Sequence, residues 1–70
     1  MDGLREAESS GVGVIDKAAL VMSALEAGPA TLAQLVGSTH LARPTAHRIA
    51  VALEYHRLVA RDSQGRFVLG

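Results

Sequence analysis

The 70-residue sequence contains no cysteine. Disulfides and thiolate metal sites, two usual ways of stabilising so small a domain, are therefore excluded. The longest uninterrupted apolar run, AALVM, is too short to cross a bilayer, which takes about 20 residues. No segment resembles a signal peptide. We therefore expect a soluble, cytoplasmic domain, with no membrane association, that gains stability from a partner subunit.

The sequence also lacks the residue patterns of enzymes and of cofactor or metal sites. It has no paired carboxylates, and no nucleophile lies near a base. The stretch GVG at residues 11–13 lacks the preceding strand and the third glycine of a dinucleotide-binding motif. The spacings of His40, His47 and His56 match no common metal site. We therefore expect no enzyme activity, no cofactor and no metal.

Charge is distributed unevenly, although the net charge is zero. Residues 1–35 contain two basic and five acidic side chains, whereas residues 36–70 contain five basic and two acidic ones and all three histidines. A local excess of positive charge attracts a polyanion to one face of a protein. The same clustering also arises by chance on an ordinary solvated surface.

The spacing of apolar residues predicts a helix from Val14 to about Ala27, after a polar, acidic stretch at residues 1–10 that we expect to be a mobile tail. We expect residues 11–70 to form one domain. The main apolar stripe of the helix consists of Val14, Ile15, Ala18, Val21, Met22 and Leu25. A second apolar strip, a candidate surface for a partner subunit or a following helix, consists of Leu20, Ala24 and Ala27.

Two further helices are predicted from their start and stop signals. Thr31 and Gln34 have the spacing of a capping box, which predicts a short second helix that ends by Gly37 to Thr39. Pro44 is typical of the first turn of a helix, and the pattern continues to about Tyr55. The inward stripe of this third helix is Ala46, Ile49, Ala50 and Leu53, and its outer face contains Pro44, His47, Arg48 and Val51.

The end of the sequence predicts a β-hairpin. The stretches LVAR and RFVLG suit strands, and DSQG between them contains Gly65, which suits a left-handed conformation. We expect the inward residues to be Leu58, Ala60, Phe67 and Leu69, and the outward residues to be Arg61 and Arg66. Three helices followed by a two-stranded ribbon predict a mainly α fold with a small β-hairpin, the winged helix-turn-helix.

This fold places the second helix of the helix-turn-helix in the major groove of double-stranded DNA. Arginines bind phosphates or guanine, threonine meets a phosphate or a thymine methyl group, and histidine donates to guanine or phosphate. The candidate DNA-binding residues on the third helix are therefore Arg43, Pro44, Thr45, His47 and Arg48. Those beside it are Thr31, His40, Arg61 and Arg66.

Other interpretations stay open for these residues. Arg48 and Arg57 have a possible intramolecular partner in Glu54. The hairpin arginines suit an edge strand, where charge discourages aggregation. The outer face of the third helix also carries Val51 and Tyr55, and apolar anchors there would suit a winged helix that binds another protein.

From about Ser10 to Gly70 the sequence resembles the N-terminal domain of the IclR family of bacterial transcription regulators, and within it the actinobacterial regulators of amino-acid biosynthesis. The motifs are GVGVIDKAALVMSALEAG, TLAQLV, ARPTAHRIAVALEYHRLV and RDSQGRFVLG. The resemblance implies a homodimer on a pseudo-palindromic operator. It also implies a C-terminal domain that binds a small-molecule effector, which we expect to be absent because the chain stops at Gly70, where a linker helix would begin.

The sequence departs from the family pattern in one turn. His40 stands where the family usually has glycine in the motif TGL. Glycine adopts positive φ freely, whereas histidine does so at some cost. We expect either a slightly strained turn or an additional phosphate contact from His40.

Overall fold

The computed structural model describes residues 13–70, so the predicted tail at residues 1–10 lies outside the described residues. The elements are the helices α1 (Gly13–Leu25), α2 (Leu32–Thr39) and α3 (Arg43–Tyr55), followed by the strands β1 (Val59–Arg61) and β2 (Phe67–Leu69). The two strands pair antiparallel. Three helices followed by a two-stranded wing confirm the predicted winged helix-turn-helix.

The core lies where the three helices meet the hairpin. Val21 of α1 and Leu35 of α2 are fully buried there. The inward face of α3 consists of Ala46 and Ala50, both fully buried, and of Leu53. Because alanine has so short a side chain, α3 lies close to both other helices, and its outer face projects away from them.

The apolar stripe of α1 is buried only in its second half. Val14 and Ile15 belong to the same stripe as Val21 and Leu25, yet they are 70% and 60% exposed. The first turn of α1 borders a shallow apolar groove together with Ile49 and its neighbours on the side of α3. The stripe therefore extends beyond the core of the described residues.

The turn between α2 and α3 is held by a buried threonine. The Thr39 hydroxyl donates to the Leu35 carbonyl oxygen at 2.7 Å and accepts from the Leu41 backbone N–H at 3.2 Å. His40, between them in the chain, has φ 61° and ψ 19°, the left-handed conformation that favours glycine. The backbone therefore retains the turn that glycine would suit, at the cost of placing histidine in it.

The hairpin has the predicted position but a different inward face. Val59 and Phe67 are 1% and 3% exposed, whereas Leu58 and Leu69 are 49% and 40% exposed. The predictions for Leu58 and Ala60 were wrong, because β1 is displaced by one residue, which moves every side chain of that strand to the other face. In β2 the prediction for Phe67 was correct. Leu69 shares the face of Phe67, as predicted, but it pairs with Val59 at the end of the strand and is exposed.

The cause of the shift lies between α3 and β1. Arg57 has φ 64°, so the chain turns sharply after α3. The Leu58 N–H then donates to the Leu53 carbonyl oxygen at 2.9 Å, which leaves Val59 pointing inward. Arginine gives no sequence signal for positive φ, so the pattern alone did not reveal this turn.

The hairpin is joined to the helices by an additional pair of backbone hydrogen bonds. The Ala30 N–H donates to the Phe67 carbonyl oxygen at 3.0 Å, and the Phe67 N–H donates to the Ala30 carbonyl oxygen at 2.8 Å. The segment between α1 and α2 thus adds one residue of pairing to the outer edge of β2.

The observed register predicts opposite outcomes for two neighbouring substitutions. Val59→Ala should lower the free energy of unfolding by about 2 kcal/mol, because it empties a buried site. Leu58→Ala removes a larger side chain but should change it by less than about 1 kcal/mol, because Leu58 is half exposed. Urea denaturation followed by circular dichroism measures both, and a greater loss for Leu58→Ala would contradict the register.

His40 and His56 end successive helices with opposite signs of φ, 61° and −89°, and therefore form a matched pair. His40→Gly should raise the free energy of unfolding by about 0.5–1 kcal/mol, because glycine adopts positive φ without a steric penalty. The melting temperature should rise by roughly 2–8 °C. His56→Gly should lower both quantities, and a rise in both variants would contradict strain at His40.

Candidate nucleic-acid interface

The outer face of α3 presents a row of exposed side chains. Pro44, His47, Arg48 and Val51 are all exposed, at positions i, i+3, i+4 and i+7 of the helix. Residues at these spacings lie along one face of an α-helix. With 13 residues α3 is about 20 Å long, and a helix of this diameter fits the major groove.

Two arginines on α3 have no acidic partner within the described residues. Arg43 and Arg48 are exposed, and neither belongs to a salt bridge in residues 13–70. Glu54, which was a possible partner for Arg48 and Arg57, instead accepts from Arg61 at 3.2 Å. Within the described part of the chain, both guanidinium groups of α3 therefore keep their donors for a ligand.

The start of α3 adds backbone donors beside these cations. Ala42 is the N-cap and supplies no side-chain hydrogen bond, and Pro44 follows in the first turn. The first N–H groups of a helix without a capping side chain attract anions, because they have no partner and the helix dipole is positive there. Thr45 is half-buried toward α1, beside Lys17 and Val14, so it lies at the flank of the outer row.

Two other candidates lie on or after α2. The Thr31 hydroxyl accepts from the Gln34 N–H at 3.1 Å, while the Gln34 side chain accepts from the Thr31 N–H at 2.8 Å. This confirms the predicted capping box and leaves the hydroxyl proton of Thr31 free to donate. His40 is exposed in the turn immediately before α3. Both residues therefore present a polar group to solvent.

The arginines of the wing are held by acidic neighbours. Arg66 Nε lies 2.8 Å from Asp62 Oδ2, and the side chain of Arg66 is 39% exposed. Arg61, 42% exposed, pairs with Glu54, and its guanidinium carbon lies 4.5 Å from the centre of the Phe67 ring. Arg61 therefore lies on the same face of the hairpin as Phe67, although both arginines still have unoccupied donors.

Asp62 holds the turn of the wing through backbone hydrogen bonds, in addition to its ion pair with Arg66. Its Oδ1 accepts from the backbone N–H groups of Gln64 and Arg66, each at 2.9 Å. The bond from the Arg66 N–H is the largest cause of a lowered pKa of the Asp62 carboxyl. Desolvation, the next largest, raises the pKa, but the bond from the Gln64 N–H and the Arg66 guanidinium add to the lowering, so the net shift is downward. The ionised carboxylate thus stabilises the turn above the ordinary carboxyl pKa, and this support is lost as the pH falls through the lowered value.

Asp62 and Glu54 are the partners of the wing arginines, and neither role was predicted from the sequence. The Asp62 turn had a signal, since aspartate before a Ser-Gln-Gly stretch commonly accepts from the backbone two residues later. The pair between Glu54 and Arg61 had no signal in the sequence, because it depends on how the hairpin folds back on α3.

The second apolar strip of α1, the candidate surface for a partner subunit or a following helix, is only partly exposed. Leu20 is 47% exposed and Ala27 is exposed, whereas Ala24 packs partly against the core. This strip lies on a different part of the domain from the outer row of α3, with Ala27 beside the loop that leads to α2.

Residues 13–70 contain neither a membrane-spanning helix nor a cluster of metal ligands. No helix of that part of the chain is long and apolar enough to cross a membrane. No group of three potential metal ligands lies together there.

Comparison with known proteins agrees with this geometry. The IclR helix-turn-helix domain matches residues 14–63, more than two thirds of the chain, from the first turn of α1 to the turn of the wing. No curated protein and no solved structure gives a significant match. On the strength of the family match, which covers all three helices, the chain belongs to the IclR family of DNA-binding transcription regulators.

Proposed function

We propose that this domain binds double-stranded DNA sequence-specifically by inserting α3 into the major groove. The observation that carries the proposal is the exposed row on α3 together with Arg43, because neither Arg43 nor Arg48 has an acidic partner within residues 13–70. The alanine-lined inner face supports it further, because a helix held close to its own core exposes its opposite side to a groove.

The candidate residues have different roles in this proposal. Arg48 and His47 point from the middle of the helix and contact base edges, where arginine forms two hydrogen bonds with guanine. Arg43 and the N–H groups of the first turn hold a phosphate, and Thr45 meets the backbone at the flank. Pro44 fixes the start of the helix and packs against the sugar-phosphate wall.

Contacts outside α3 fix how the domain is positioned. Thr31 at the start of α2 and His40 in the turn each donate to a phosphate, since the first helix of a helix-turn-helix crosses the backbone. Loss of DNA affinity in His40→Gly would support its contact, whereas unchanged affinity with greater stability would leave only strain. Arg61 and Arg66 meet the backbone or the minor groove with the donors that their carboxylate partners leave free.

The regulator acts, in this proposal, as a cytoplasmic homodimer on a pseudo-palindromic operator. Leu20 and Ala27 contribute to the surface that packs against the partner subunit or a linker helix, with Ala24 behind them. A separate domain binds the small-molecule effector. The resemblance to actinobacterial regulators of amino-acid biosynthesis stays a prediction.

A second candidate function is binding to another protein. Tyr55 is 81% exposed and lies next to His56, whose ring meets it edge-on with the centroids 5.1 Å apart. Exposed aromatic residues are common anchors in protein interfaces. Tyr55 lies at the far end of α3, however, while the unpaired arginines lie nearer its start, and a protein partner would leave these cations unexplained.

The proposal predicts a loss of both affinity and salt dependence in Arg48→Ala. Fluorescence anisotropy with random-sequence duplex DNA at two salt concentrations should show weaker binding for the variant. On random-sequence DNA no guanine is set opposite Arg48, so its guanidinium pairs with a phosphate instead, and the slope of log K against log salt should fall by about 1. Arg57→Ala, which removes the same charge beyond the end of α3, is the matched control and should have a smaller effect.

Equal losses in the two variants would mean that only overall charge matters, which would contradict insertion of α3. A single domain meets few phosphates, so the titration should be repeated with the domain fused to a dimerising coiled coil. If neither form binds at low salt, the proposed binding mode is wrong and the protein-interaction alternative gains support.

Dimeric binding predicts a repeat in the selected DNA. Duplexes selected on the intact regulator from a randomised pool should contain two half-sites related by a two-fold axis, with centres about 10 base pairs or a multiple apart. Leu20→Asp should lower affinity for the paired site and leave affinity for one half-site unchanged. If Leu20→Asp affected neither dimerisation nor paired-site affinity, the role of Leu20 in the subunit contact would be excluded.

A further inference from the structure

The exposed row on α3 ends in a side chain that has no polar group. Val51 is 38% exposed, and it borders a shallow cleft on the outer face with His47, Arg48 and Tyr55. It is not needed for the core, because Ala46, Ala50 and Leu53 already form the inward face of α3. The row that contains His47 and Arg48 therefore ends in an apolar side chain on the same face of α3.

The spacing of the row matches the way in which a recognition helix reads DNA. Homeodomain recognition helices contact the major groove with residues at i, i+3, i+4 and i+7, and Val51 is the fourth residue of such a set beginning at Pro44. Val51 lies about 4.5 Å beyond Arg48 along the helix axis, comparable to the spacing of about 3.4 Å between stacked base pairs. A helix that directs Arg48 at one base pair thus brings Val51 to a neighbouring one.

Because its side chain is apolar, Val51 can make a favourable contact with only some base edges in the major groove. The major-groove edges of guanine, adenine and cytosine present hydrogen-bond donors and acceptors, which would lose water against valine without gaining a partner. Thymine alone presents an apolar group, its C5 methyl. We therefore propose that Val51 is a specificity-determining residue that selects a thymine next to the base pair contacted by Arg48. This inference rests on the proposed function.

A test uses uracil, which differs from thymine only by the methyl group. Duplex DNA is first selected on this chain from a randomised pool, and each thymine of the selected duplex is then replaced in turn by uracil. Anisotropy gives the affinity of each duplex for the native chain and for Val51→Ala. The matched control is Val14→Ala, the same substitution at an exposed position on α1.

At one position uracil should weaken binding of the native chain and of Val14→Ala by about three- to five-fold, the equivalent of one buried methyl group. Val51→Ala should bind the thymine and uracil duplexes equally there. The variant should remain folded, because Val51 is exposed and alanine favours helix. Melting curves check this.

Three results would overturn the inference while leaving the proposed function intact. The first is that no thymine shows a uracil effect. The second is that Val51→Ala retains the full preference for thymine. The third is that Thr45→Ser, which removes the methyl group of the threonine at the flank of the row, abolishes the preference instead. Failure to select any sequence, by the native chain and by its fusion to a dimerising coiled coil, would refute sequence-specific binding, and the inference with it. The two failures are therefore distinguishable.

Discussion

The pairing and burial of Phe67 hold the two parts of this domain together. Its backbone exchanges two hydrogen bonds with Ala30, so the loop between α1 and α2 becomes an edge of the hairpin. Its ring lies in the core, with the Arg61 guanidinium over one face. A two-stranded hairpin is at best marginally stable alone, and these contacts with the helical part of the domain add one residue of pairing and the apolar support that it lacks. Phe67 therefore fixes the position of the wing together with the buried Val59 and the Arg61–Glu54 pair.

Alanine on the inner face of α3 connects packing to function. Ala46 and Ala50 let the helix approach the core closely, while Leu53 anchors its second half. Large side chains at those positions would hold α3 further out and tilt the row on its other side. The same helix therefore carries two sequence constraints, small apolar residues facing inward and polar or cationic residues facing outward. The family match over residues 14–63 covers both sets.

Local signals predicted most of the fold. Capping at Thr31, the first-turn Pro44 and the periodicity of α3 depend on neighbours in the chain, so the helices and their ends could be predicted. The hairpin face could not, because the shift to Val59 begins with positive φ at Arg57, an arginine with no preference for it. For the candidate site, the sequence predicted which residues lie outward on α3 but not which cations are already paired. Pairing of Arg61 with Glu54 depends on tertiary contacts between hairpin and helix.

The internal ion pairs of the wing have a consequence for the first approach of DNA. With Arg61 and Arg66 each beside a carboxylate, the wing carries little net charge. The first half of α3 instead carries Arg43 and Arg48, neither of them in a salt bridge within residues 13–70, beside the positive end of the helix dipole. Positive charge is therefore concentrated at the proposed reading edge rather than on the wing. The field of an approaching polyanion orients the domain before the two surfaces meet, which raises the association rate constant. Because the arginines of the wing are neutralised, the attraction of DNA is directed mainly to the arginines of α3.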